Sequence, residues 1–134
     1  MMKLNCRCGN FEVVWDAKIS SLLARKCSCD YCILHDIDYV SDPESPLKFT
    51  IRDPSKYKIV QHGTNTANFY ECVSCGLVLV TSDIENDVYA VLNAKVLGVN
   101  NYQVDKEVKI FTNESVAVKL ARRKKNWCKV IAPG

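Results

Sequence analysis

Seven of the eight cysteines in this 134-residue sequence fall into three clusters with the spacing of metal ligands. The clusters are Cys6-x-Cys8, Cys27-x-Cys29-x-x-Cys32 and Cys72-x-x-Cys75-Gly76. The last is the pattern of a zinc knuckle, in which two thiolates take adjacent corners of a tetrahedron and glycine permits the tight turn beneath the metal. Because structural zinc takes four ligands, the knuckle needs two more from elsewhere in the chain.

The number of thiols limits how they can be divided between sites. Cys6 and Cys8 are two residues apart, so in an extended segment they project to the same face and can bind one metal as a pair. Pairing them with Cys72 and Cys75 gives a closed four-cysteine site. A structural site of this kind contributes folding free energy on the order of 10 kcal/mol. It would connect the N-terminus to the middle of the chain.

The middle cluster predicts a second zinc site with an open position. Cys27, Cys29 and Cys32 can supply three sulfurs and leave the fourth corner free, as in catalytic zinc sites. His35 is an alternative fourth ligand that would close the site and make it structural. Cys128 stands alone, and we predict that it is a small buried side chain or a free thiol.

Two other uses of cysteine are less compatible with the sequence. A disulfide framework belongs to exported proteins, and residues 1–6 contain no apolar stretch typical of a signal peptide. A redox Cys-x-x-Cys needs a thioredoxin-like βαβ setting, which the sequence does not offer. The longest apolar run, residues 77–80, has the length of a strand and not of a membrane span. We therefore expect reduced thiols and a cytoplasmic protein with no membrane partner.

Length and composition predict a single domain over residues 1–134. The hydrophobic content of 48% is enough for one core. The formal net charge is only +3, with 25% charged residues, so a nucleic-acid partner is not required. The sequence leaves the oligomeric state open.

The elements that position the cysteines are predicted to be short strands. Alternating apolar residues indicate strands at residues 11–15, 47–51 and 57–60. Residues 68–70 and 77–81 flank the knuckle and predict a hairpin with the metal at its tip.

The remaining predicted elements complete a mainly β domain with little helix. Residues 88–97 are the strongest strand candidate and are followed by Gly98. Residues 108–111 and 115–120 predict two further short strands. Residues 17–26 stay unassigned between a helix and a strand, and residues 31–34 predict one helical turn capped by Asp30.

The order of the three clusters resembles that of the glutathione-dependent formaldehyde-activating family and its relative centromere protein V. The resemblance covers residues 4–98 and includes the segment Val-Leu-Asn-Ala-Lys-Val-Leu at residues 91–97, His62-Gly63-Thr64 and Phe69-Tyr70. It implies a β-tent fold, which small zinc-binding chaperones of Rab-type GTPases share.

The resemblance also implies two zinc ions with different roles, one structural and one catalytic. The matches of Cys6, Cys8, Cys72 and Cys75 hold a structural zinc in the family. The matches of Cys27, Cys29 and Cys32 hold the zinc assigned to catalysis. The implied reaction is the addition of glutathione to formaldehyde, which gives S-hydroxymethylglutathione, so the expected class is a carbon–sulfur lyase.

The chemistry follows from what zinc does to a thiol. Coordination deprotonates the thiol, and the thiolate can then add to an aldehyde carbon. Asp30, Tyr31 and His35 are the nearby groups able to move a proton. Ser28 and Ile33 stand where the family usually has histidine and arginine, which changes the surroundings of the open site but not its ligands.

Two alternatives to an enzyme stay open. The first is a non-catalytic zinc module that binds a protein or a nucleic acid through Arg122, Arg123, Lys124 and Lys125, with Trp127 beside them. A solvated C-terminal tail is the simpler interpretation of these residues. The second is a redox or metal sensor, because three thiolates around an open zinc are susceptible to oxidation.

Overall fold

The fold consists of two β sheets and one described α-helix. In this computed structural model the described residues are 2–16, 23–27, 37–61, 66–99, 103–109 and 115–131. The described elements, in chain order, are β1 (Met2–Asn5), β2 (Phe11–Trp15), β3 (Leu23–Cys27), β4 (Tyr39–Val40), β5 (Leu47–Ile51), a 3-10 turn (Pro54–Lys56), β6 (Tyr57–Gln61), β7 (Asn68–Cys72), β8 (Gly76–Ile84), β9 (Asp87–Asn93), β10 (Gln103–Lys109), α1 (Val116–Asn126) and β11 (Cys128–Lys129).

The smaller sheet has three antiparallel strands in the order β1-β2-β5. Its central strand alternates, with Phe11, Val13 and Trp15 fully buried and the residues between them half-buried. The indole N–H of Trp15 donates to the carbonyl oxygen of Ser45 at 2.8 Å. One face of this sheet therefore belongs to the core.

The larger sheet has the strand order β10-β3-β4-β9-β8-β7-β6, and β11 also pairs with β9. β10 runs parallel to β3, and the other described pairings are antiparallel. β8 and β9 lie in the middle of the sheet and are its longest pair, with Leu79 opposite Leu92.

Apolar side chains cover both faces of the larger sheet. Val78 and Leu92 belong to the main core, which the smaller sheet covers. Val80, Val91 and Trp127 belong to a second cluster, against which Leu120 of α1 packs. Because β8 is buried on both faces, residues 77–80 form a continuous apolar run where a half-buried strand would alternate.

The predicted mainly β domain with little helix is confirmed. The strands at residues 11–15, 47–51 and 57–60 are β2, β5 and β6, and the hairpin around the knuckle is β7 and β8. β1 was not predicted. Among the described residues no helix has the length and apolar character needed to cross a membrane.

The strand predicted at residues 88–97 is too long, because β9 ends at Asn93. The Asn93 side chain donates to the carbonyl oxygen of Leu77 at 2.9 Å and accepts from the backbone N–H of Lys95 at 3.2 Å. The backbone then turns, and the N–H of Leu97 donates to the carbonyl oxygen of Asn93. A local side-chain hydrogen bond thus ends the strand before the apolar sequence does.

The strand predicted at residues 115–120 is wrong, because this segment begins α1. The Ser115 hydroxyl accepts from the backbone N–H of Val118 at 3.2 Å, which makes it the N-cap. Val116 and Val118 are 46% and 55% exposed, so neither contributes to the core as a strand residue would. The alanine, leucine, lysine and arginine residues that follow are strong helix formers and decide the conformation.

Three predictions fall partly or wholly on undescribed positions. β3 begins at Leu23 and resolves the second half of the unassigned segment, whereas residues 17–22 lie outside the described ranges. β10 starts at Gln103, before the predicted strand at residues 108–111. The helical turn predicted at residues 31–34 lies outside the described residues.

Candidate metal centre

Two hairpins from different sheets bring four cysteines together. Cys6 and Cys8 lie in the turn between β1 and β2, and Cys72 and Cys75 lie at the turn between β7 and β8. The first pair lies in a turn and not in the extended segment that we expected, since the backbone N–H of Gly9 donates to the carbonyl oxygen of Cys6 at 2.9 Å. The turn still directs both sulfurs to one side.

A glycine in the left-handed region of the backbone directly follows the last cysteine of each pair. Gly9 has a φ of +81° and Gly76 a φ of +95°, values that residues with a Cβ adopt only with strain. The sequences Cys8-Gly9 and Cys75-Gly76 therefore reflect the tight backbone of the two segments that carry the four cysteines.

The sulfur positions suit a tetrahedral metal. The four Sγ atoms all lie within 4.8 Å of one another. The Cys8 and Cys72 sulfurs are 3.4 Å apart, and those of Cys6 and Cys8 are 3.7 Å apart. A zinc ion with Zn–S distances of about 2.3 Å separates its sulfurs by about 3.8 Å. The donor set and its dimensions therefore fit zinc, and an all-sulfur tetrahedral set also suits iron.

Backbone N–H groups point at the sulfurs. The N–H of Phe11 donates to the Cys6 sulfur at 3.3 Å, and the N–H of Cys8 donates to the Cys75 sulfur at 3.3 Å. Hydrogen bonds of this kind stabilise the thiolate, which is the form that binds a metal. The second bond also connects the two hairpins directly.

Cys8, Cys72 and Cys75 do not ionise equally. A backbone hydrogen bond from Asn10, assisted by the Cys72 thiol, lowers the pKa of Cys8 to about 7. Burial raises the pKa of Cys72, and burial raises the pKa of Cys75 to about 12. Without a cation, the thiolate form of Cys8 is therefore favoured, and ionisation of Cys72 and Cys75 is opposed. A divalent metal would supply the charge that lets all four sulfurs act as thiolates.

Burial also differs between the ligands. Cys6 and Cys72 are each 2% exposed, Cys75 is half-buried and packs against the main core, and Cys8 is exposed. Four protein sulfurs leave no corner of a tetrahedron for a substrate, which is the arrangement of a structural site.

The second predicted cluster is described only at its first residue. Cys27 is the last residue of β3, and its backbone pairs with that of Lys109. Cys29, Cys32 and His35 lie outside the described residues, as do Asp30 and Tyr31.

The strand directions nevertheless place the start of this cluster. β3 and β9 are both antiparallel to β4, so they run in the same direction. β9 ends where β8 begins, because they are antiparallel neighbours. Cys27, the last residue of β3, therefore lies at the end of the larger sheet that also carries the knuckle.

Cys128 is fully buried in β11, as predicted for a small core side chain. Its sulfur accepts from the backbone N–H of Asp42 at 3.2 Å. Burial raises the pKa of Cys128 to about 12, so this thiol is protonated near neutral pH.

The basic run at residues 122–125 is part of α1 and is not a solvated tail. Arg123 is buried, and its guanidinium donates to the Thr66 hydroxyl at 2.8 Å and to the Ser82 hydroxyl at 3.2 Å. It also lies 5.1 Å from the centre of the Trp127 ring. Lys124 forms an ion pair with Glu85. The sequence analysis did not predict this packing role. The Arg123-x-x-x-Trp127 spacing was the available signal, because residues four apart lie on the same face of a helix.

Comparisons with known proteins support the fold. No family model and no curated protein matches the chain. A crystal structure of a Rhodobacter sphaeroides protein, a structural-genomics target, is similar with a TM-score of 0.53 and 19% identity. The match covers 78% of this chain and 100% of that one. At this identity the likeness concerns the fold. Fold and site together define a mainly β domain with a four-cysteine cluster that could hold a metal such as zinc.

Proposed function

We propose that this chain is a zinc protein in which Cys6, Cys8, Cys72 and Cys75 hold a structural ion. The observation that carries the proposal is the convergence of four sulfurs, from hairpins of two different sheets, within 4.8 Å. The zinc would connect the smaller sheet to the end of the larger sheet at the turn between β7 and β8. Its contribution to folding would be on the order of 10 kcal/mol, a large share of the stability of one domain.

Metal removal tests the structural role. Thermal unfolding with and without a strong chelator should show a large loss of stability that added zinc reverses. Cys72→Ser should reproduce the loss without chelator. Cys128→Ser is the matched control, because it also removes a buried thiol but leaves the four ligands intact. Unchanged unfolding of the chelated protein would contradict the proposal.

We further propose that Cys27, Cys29 and Cys32 hold a second, open zinc and that the chain is a carbon–sulfur lyase of the glutathione-dependent formaldehyde-activating type. The cluster spacing and its resemblance to that family support this proposal. The position of Cys27 at the knuckle end of the larger sheet is compatible with it. Zinc would lower the pKa of a bound substrate thiol such as that of glutathione.

The chain's own groups would then handle the aldehyde and the proton. Asp30, Tyr31 and His35 are within a few residues of the three thiols in sequence and include groups that can donate or accept a proton. The reverse reaction, release of the aldehyde from a thiohemiacetal, would use the same groups.

Exchange between glutathione, formaldehyde and their adduct tests the activity. Nuclear magnetic resonance exchange spectroscopy should show a faster interconversion with the wild type than with buffer alone. Cys29→Ser should abolish the acceleration while the four-cysteine zinc is retained, and Cys128→Ser should not. If no thiol and aldehyde pair exchanges faster with the protein, the lyase proposal fails.

The alternative of a nucleic-acid-binding module has less support. It depended on four cations that a nucleic acid could contact, and of these Arg123 is buried and Lys124 is paired with Glu85. Each cation removed from the surface also removes a possible phosphate contact. We therefore prefer the lyase proposal to the nucleic-acid-binding alternative.

A further inference from the structure

The proposed structural site combines one exposed thiol with buried ones. Cys8 is exposed, whereas Cys6 and Cys72 are each 2% exposed. The Cys8 sulfur lies 3.4 Å from that of Cys72, closer than the 3.7 Å to its neighbour Cys6. An oxidant from solvent therefore meets Cys8 first, with Cys72 behind it.

We propose that Cys8 is an oxidation site, and that peroxide joins Cys8 to Cys72 in a disulfide and releases the zinc. This inference rests on the proposed structural zinc. It concerns the four-cysteine site, and thus a different part of the chain from the three-cysteine cluster.

The choice of partner follows from geometry. Cys6 and Cys8 are in one tight turn, closed by the hydrogen bond between Gly9 and Cys6, and a disulfide between residues two apart would distort it. Cys72 approaches from the opposite hairpin, so it can reach the Cys8 sulfur without closing a small ring.

The chemistry balances with one equivalent of hydrogen peroxide. The Cys8 thiolate attacks one peroxide oxygen, an S–O bond forms, the O–O bond breaks, and hydroxide leaves to give a sulfenic acid. The Cys72 thiolate then attacks the Cys8 sulfur, an S–S bond forms, the S–O bond breaks, and a second hydroxide leaves. Two thiolates lose two electrons, and peroxide gains them.

Oxidation would replace the zinc, as the connection between the two hairpins, with a disulfide. A zinc that loses two of its four sulfurs is bound far less tightly. The new disulfide, which spans 64 residues of sequence, would join the same two hairpins that the metal joined. We therefore expect the sheets to stay connected after the metal leaves.

The test uses the full chain carrying Cys27→Ser, Cys29→Ser and Cys32→Ser, so that any bound zinc belongs to the four-cysteine site. Zinc in the reduced protein is counted first. One equivalent of hydrogen peroxide is then added, zinc release is followed with a chromogenic chelator, and free thiols are alkylated. Trypsin cleaves after Arg7 and so separates Cys6 from Cys8. Mass spectrometry of the unreduced peptides then maps the disulfide.

The expected result is about one zinc released per disulfide, a cross-link between Cys8 and Cys72, and alkylation at Cys6 and Cys75. Reductant and zinc should restore the starting state. Cys128→Ser in the same background should behave identically. Should the triple substitution prevent folding, the same mapping on the unsubstituted chain gives the linkage.

Two failures are distinguishable. Reduced protein without zinc contradicts the proposed function. Zinc-loaded protein that keeps its metal under peroxide, or that forms a disulfide between Cys72 and Cys75, contradicts only the oxidation proposal.

Discussion

The thiols of the candidate metal centre lie close together, but they differ in acidity. Cys8 has its pKa lowered to about 7 by the Asn10 backbone hydrogen bond, while burial holds that of Cys75 near 12. A metal must therefore displace the protons that Cys72 and Cys75 hold firmly. Zinc affinity should rise with pH for this reason.

We predict that the Cys8 thiol becomes reactive around neutral pH in the metal-free protein. Cys8 ionises as pH rises through about 7, so its alkylation rate should increase across that range and level off above it. Cys75 should stay unreactive there, because it is still protonated. Alkylation followed by peptide mapping at several pH values measures both. Equal reactivity of the two residues would contradict this account.

Residue types and spacing were sufficient to predict which four cysteines come together, because a zinc site needs a fixed number of thiolates. They could not predict that Cys8 is exposed while Cys72 is buried, since exposure depends on how the two hairpins meet. Nor could they predict that Arg123 is buried, because its partners Thr66 and Ser82 lie far away in sequence.

At the scale of elements, α1 contributes to the second apolar cluster through its last two turns. Leu120 packs against this cluster, and Arg123 contacts β8 through Ser82. The first turn is exposed at residues 115–118 and depends on its cap. The two ends of the helix should therefore respond differently to substitution.

Loss of the N-cap should have a modest effect. Ser115→Ala removes the acceptor for the Val118 N–H and should lower the free energy of unfolding by about 1 kcal/mol. Ser115→Asp keeps an acceptor and should be close to neutral. Denaturant titration of both variants measures the difference, and equal losses would show that the hydroxyl does not cap the helix.

Loss of the buried guanidinium should have a larger effect. Arg123→Ala removes hydrogen bonds to Thr66 and Ser82 and the contact with the Trp127 ring, and should cost about 2 to 4 kcal/mol. Lys125→Ala, at an exposed position of the same helix, should stay within about 0.5 kcal/mol of wild type. A small effect at both positions would mean that Arg123 is not a packing residue.

Strand periodicity predicted the elements that lie wholly within a sheet, such as β2 and β5. It failed where a local hydrogen bond decides the conformation, at the end of β9 near Asn93 and at the start of α1 near Ser115. In both places a polar side chain bonds to nearby backbone and overrides the apolar pattern.

At the scale of the whole molecule, the four-cysteine cluster lies where the two sheets approach each other. The main core fills the space between the sheets, and the hairpins β1–β2 and β7–β8 meet at its edge. The strand order, with β10 parallel beside β3, could not be read from the sequence, because pairing between distant strands depends on the complete core. The connection between the N-terminus and the knuckle could be predicted, because the ligand count requires it.

The most direct test of the account is the metal content per chain, by elemental analysis, of the wild type, Cys72→Ser and Cys32→Ser purified without chelator. We expect about two zinc ions in the wild type and about one in each variant, with negligible iron. If the wild type holds one zinc and Cys72→Ser holds none, the proposal of a structural site is supported and the proposal of an open site fails. A Cys72→Ser protein with as much zinc as the wild type would contradict the central claim that these four cysteines hold the metal.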